Sequence, residues 1–115
     1  MTIKQCYQAM GADYEDVAQR LPSEAMVKKF AMKFSEDESF AQLTEALKSG
    51  DVETAFRAVH TMKGLCLTLG FSQLAAPSSE LTELLRAKQL DGSEALYNKL
   101  AQEYTKTVEF LKAVE

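Results

Sequence analysis

Apolar positions recur at three- and four-residue spacing along almost the whole chain, which is the period of an amphipathic helix, and no stretch needs the strict alternation of a strand. The breaks between these runs carry helix stop and start residues. A short N-terminal turn or helix ends near Gly11, and Asp13 is placed to cap a segment reaching about Arg20. Leu21-Pro22-Ser23 then interrupts the chain before a helix whose apolar face is Met26, Val27, Phe30, Ala31 and Phe34. Ser35 and Glu38 have the S-x-x-E form of a capping box, and Phe40, Leu43, Ala46 and Leu47 make the stripe that follows, ending at Ser49-Gly50. Asp51 is placed to cap the next helix, which runs through Leu69 and stops at Gly70.

Ser72 can open another helix, with Leu74, Leu81, Leu84 and Leu85 in period. Pro77 cannot donate to the carbonyl four residues back, so it predicts a bend or a late start with a disturbed first turn. Asp91-Gly92-Ser93-Glu94 reads as the cap of a last helix carrying Leu96, Tyr97, Leu100, Tyr104, Val108 and Leu111. Four consecutive amphipathic helices with short connections predict an all-α fold. The expected architecture is an antiparallel up-down four-helix bundle over residues 36–113, with additional short helices in an N-terminal extension over residues 1–34. With no internal repeat, low-complexity tract or Gly/Ser-rich linker, residues 1–115 read as a single domain.

Composition narrows the function classes. The chain has 17 acidic and 13 basic side chains, a net charge of −4, which argues against nucleic acid or an anionic membrane surface as partner. No apolar run approaches the roughly 20 residues of a membrane span, and the first residues lack a signal-peptide core, so a cytoplasmic protein is expected. Cys6 and Cys66 lack metal-ligand spacing and read as reduced thiols, with Cys66 a small core residue. A single histidine and no carboxylate-histidine pair at helical spacing leave no metal site. The absence of a phosphate-binding loop or kinase motif leaves no ATP site and no cofactor.

The one histidine, His60, lies in the segment "AVHTMKGLCLTLG" over residues 58–70. On a wheel of ~100° per residue, Val52, Ala55, Val59, Met62, Cys66 and Leu69 gather in an arc centred roughly 130° from His60, so the imidazole should point outward or sideways. Glu53, Phe56, Arg57, Lys63, Gly64 and Leu67 share its side. Phe56 and Leu67 make an apolar rim suited to docking, although Phe56 also fits a partly buried position. Arg57 either guides an acidic partner or pairs with Glu53. Gly64 costs about 0.5 to 1 kcal/mol inside a helix relative to alanine, and its two explanations are room for a molecule beside the ring or a tight helix crossing. Lys63 brings a point charge suited to a phosphoryl group. A neutral imidazole is a competent nucleophile near neutral pH, and phosphoryl transfer asks chiefly for alignment and charge neutralisation, much of which a partner carrying Mg²⁺ and carboxylates can supply.

His60-Thr61-Met62-Lys63-Gly64, followed by Leu69-Gly70, resembles the signature of histidine-containing phosphotransfer (HPt) domains, and "SSELTELLR" over residues 78–86 is similar to that family's next helix. The resemblance implies that His60 accepts a phosphoryl group from an aspartyl phosphate and passes it to the aspartate of another receiver. It implies attachment at Nε2, Lys63 near the phosphoryl oxygens, and Gly64 leaving space for the receiver's active site to close over the ring. The implied partners are receiver domains of response regulators or of a hybrid histidine kinase, and the protein would be a monomeric carrier without an enzymatic site of its own. Leu65 and Cys66 depart from the small residues usual after the glycine, which touches helix packing or partner range. The alternative is a helical adaptor that binds receivers or other signalling proteins without being phosphorylated, a role that leaves the combined nucleophile, cation and glycine unexplained.

Overall fold

The computed structural model describes all 115 residues. Seven helices follow one another: α1 (Ile3–Met10), α2 (Tyr14–Arg20), α3 (Glu24–Phe34), α4 (Ser39–Ser49), α5 (Val52–Leu69), α6 (Ser72–Arg86) and α7 (Ser93–Lys112). The expected all-α architecture is present, since α4 packs on α5, α5 on α6 and α6 on α7. Aromatic side chains close the ring between first and last. Phe40 of α4 stacks on Tyr97 and Tyr104 of α7, at centroid separations of 5.6 and 4.1 Å, and the Thr44 and Tyr97 hydroxyls lie 2.7 Å apart.

Local signals set most of the boundaries. Asp13, Ser23 and Asp51 each accept a hydrogen bond from the backbone N–H three residues on, satisfying donors that a helix start leaves free. Gly11, Gly50 and Gly70 end α1, α4 and α5 in the left-handed conformation.

Four expectations fail. Ser35 does not begin a helix: it ends α3, its hydroxyl donating to the Met32 carbonyl, and α4 starts only at Ser39, whose N–H is taken by Asp37 Oδ1. Buried Phe34 is the last residue of α3, and Ser35 follows it as that helix's C-cap instead of opening the next one. Asp91 to Glu94 supply no side-chain cap either, because Ser93 turns its hydroxyl back to the Leu90 carbonyl. Pro77 does not delay α6, which runs unbroken from Ser72; Leu74, Leu81 and Leu85, all buried, hold it in place and offset the hydrogen bond that proline cannot donate. In α7, Thr107 takes a core position expected of Val108, its hydroxyl accepting from Gln73 Nε2 and donating to the Glu103 carbonyl.

The N-terminal helices share the bundle's core. Ile3, Cys6 and Tyr7 of α1, Val17 of α2, and Val27, Ala31 and Phe34 of α3 belong to a single cluster of 21 buried hydrophobic residues. Phe71, at the turn between α5 and α6, meets Tyr7 and Phe34 at 5.4 and 5.1 Å between ring centroids. The same helices grip the end of α5. Tyr7 donates its hydroxyl to the Leu69 carbonyl, the Asp13 N–H donates to the Gly70 carbonyl, and Arg20, paired with Asp16, donates to the carbonyls of Leu67 and Thr68.

Both cysteines are buried free thiols. Burial pushes the Cys66 thiol up to about 12, with the neighbouring Ser78 hydroxyl opposing the shift. In the unfolded chain a thiol ionises near its ordinary pKa of about 8.5, so above that pH the unfolded state sheds a proton that the folded state retains. Stability against urea should therefore be level below the ordinary thiol range and fall as pH rises toward 12, and Cys66→Ala should flatten that fall.

Candidate functional site

α5 is the helix that carries the candidate chemistry, and packing fixes its rotation. Ala55, Ala58, Val59, Met62, Cys66 and Leu69 are buried against its neighbours, close to the arc read from the wheel, with Ala58 added and Val52 only half-buried. The opposite face is thereby turned to solvent. His60 is exposed in the middle of the helix, and neither ring nitrogen is hydrogen bonded to the protein. Phe56, one turn toward the N-terminus, lies with its ring 5.6 Å from the imidazole at an interplanar angle of 35°. It is half-buried and packs on the core.

Gly64 lies one turn on the other side of His60. A Cβ built there would meet nothing within 4 Å, so no helix crosses at this glycine and the space beside the ring is open. Leu67 continues the same line and is 52% exposed, unusual for a leucine in this chain. Lys63 is half-buried and Arg57 exposed, and neither takes part in any of the six ion pairs. Arg57 therefore does not pair with Glu53 within 4 Å, although it helps Thr54 hold the Asp51 carboxyl below its usual range. Leu65 is half-buried on the flank, as its wheel position required, and Cys66 is in the core.

The structure adds a residue that the sequence did not single out. Arg86, in the last turn of α6, sets its guanidinium over the Phe56 ring, 5.1 Å from the centroid. Its Nε contacts both Glu83 carboxylate oxygens at 3.2 and 3.3 Å. Arg57 and Lys63 thus share the helix side of the exposed imidazole and Arg86 covers its neighbour Phe56, in a chain whose net charge is −4. No cluster of three or more His, Cys, Asp or Glu side chains is placed to hold a metal ion, and no helix is long and apolar enough to cross a membrane.

A comparison with family models finds that the model described as the Hpt domain covers residues 31–110. The chain belongs to the Hpt domain family. Hpt domains serve histidine phosphotransfer in phosphorelays, act as phosphocarrier modules rather than kinases, and interact with receiver domains. The Hpt match starts within α3, ends within α7 and contains the whole of α4, α5 and α6. No curated protein and no solved structure matches this chain.

Proposed function

We propose that this Hpt protein carries a phosphoryl group on His60 between the aspartates of two receiver domains, one of them on a hybrid histidine kinase or a response regulator. The observation that carries the reading is the exposure of the chain's single imidazole next to the open space at Gly64. In the uptake step a ring-nitrogen lone pair attacks phosphorus, the P–N bond forms as the acyl-phosphate P–O bond breaks, and the departing aspartate carboxylate keeps the electron pair. The delivery step is the reverse reaction on a second aspartate.

Lys63 neutralises charge on the phosphoryl oxygens, which a loose transition state spreads among them. Gly64 lets the receiver approach the ring, and Phe56, Arg57 and Leu67 form the docking rim. The protein works as a cytoplasmic monomer, with residues 1–115 acting as one domain around this site. Incubation with a phosphorylated receiver domain should place acid-labile, alkali-stable phosphate on the protein. A wild-type chain that stays unlabelled with every phosphorylated receiver tried leaves the adaptor role in its place.

Gly64→Gln tests the approach space on its own. The added Cβ meets no atom within 4 Å and the substitution replaces a poor helix former, so the fold should gain about 0.5 to 1 kcal/mol of stability while the transfer rate falls. Stopped-flow transfer kinetics beside a thermal melt check both halves, and an unchanged rate removes the role given to Gly64.

A further inference from the structure

We infer that Arg86 is a positioning residue for phosphoryl transfer, acting through Phe56 to hold the His60 imidazole in the orientation in which its ring nitrogen meets phosphorus. The inference rests on the phosphotransfer role proposed for His60 and assigns a part of the machinery outside α5. An exposed side chain without hydrogen bonds exchanges rotamers on the picosecond to nanosecond scale, whereas in-line attack needs one alignment. His60 has no polar partner to select that alignment. Its only aromatic neighbour is Phe56. A helical side chain leans toward the turn before it, so the His60 ring falls naturally on Phe56, four residues earlier.

Phe56 needs a support of its own, since it sits at the edge of the core. Arg86 provides one from the adjacent helix, as its planar guanidinium covers the ring and Glu83 holds it in that place. A guanidinium can lie flat on a ring in a way that an ammonium cannot. The side chain of Arg86 is itself half in water, at 51% exposure, so anchoring the core is not its task. The line of contacts from Glu83 to Arg86 to Phe56 ends at the nucleophile.

The test combines kinetics with nuclear magnetic resonance on Arg86→Gln, Arg86→Lys, Phe56→Leu and the Arg86→Gln/Phe56→Leu double variant. Arg86→Gln should lower the phosphoryl uptake rate at saturating receiver by about 10-fold with an unchanged melting temperature, and Arg86→Lys should restore only part of it. In the Phe56→Leu background, Arg86→Gln should cause no further loss, because the path through the ring is already gone. In the unphosphorylated protein, Arg86→Gln should average the His60 side-chain couplings and weaken the Phe56–His60 ring contacts. An unaltered rate, additive losses in the double variant, or a change confined to the half-saturating receiver concentration overturns the inference, the last showing instead that Arg86 touches the partner. If no receiver labels even the wild type, the phosphotransfer role fails, and unaltered couplings in Arg86→Gln then overturn the positioning role separately.

Discussion

His60→Gln protein should acquire no phosphate from a phosphorylated receiver domain while keeping its fold. The ring is exposed and makes no hydrogen bond, so its removal opens no cavity and orphans no buried group. Glutamine is at least as good a helix former as histidine, so the melting temperature should stay within a degree or two. Its amide nitrogen has no lone pair available for attack, and no second histidine exists to substitute. The expected loss is therefore complete rather than partial. Label retained on the variant after alkali would place the phosphate on another residue and end the assignment to His60.

Gly70→Ala should be the most damaging of the small substitutions. Gly70 ends α5 at a φ of 73°, and an added Cβ would stand 2.4 Å from the Asp13 carbonyl oxygen, a backbone atom that cannot swing aside. The Asp13 N–H at the same spot donates to the Gly70 carbonyl at 2.8 Å, so relieving the clash disturbs that bond as well. Gly50 has nearly the same φ, 74°, with nothing within 4 Å of its added Cβ. Gly50→Ala should thus lose about 1 kcal/mol from backbone strain alone, and Gly70→Ala about 3 kcal/mol, a fall in melting temperature on the order of 10 °C. Urea titrations of the two variants side by side measure the difference. Equal losses would mean that α2 gives way freely.

Information that is local in the chain was legible before any coordinates. The wheel turned His60 to solvent and Cys66 inward because burial on one side of an 18-residue helix dominates its rotation. Caps at Asp13 and Asp51 and glycine stops at Gly50 and Gly70 depend on residues only a few positions apart. The failures have a common physical origin. Ser35 satisfies the spacing of a helix start, but the same hydroxyl can serve a preceding carbonyl, and it does so here, directly after buried Phe34. Thr107 enters the core because Gln73 of another helix meets its hydroxyl. Arg86 carries no local signal for the same reason, since its place over Phe56 depends on how α6 docks against α5.

The last turn of α5 has a consequence for how this module can be moved between proteins. Its carbonyls at Leu67, Thr68 and Leu69 are served by Arg20 and Tyr7, and the Gly70 carbonyl by Asp13, all of them outside the 31–110 segment that the family model matches. A chimera spliced at residue 31 would strand those acceptors at one end of the histidine-bearing helix and uncover Phe71. Grafts of this scaffold therefore have to carry α1 and α2 with them, or recreate their donors in the host.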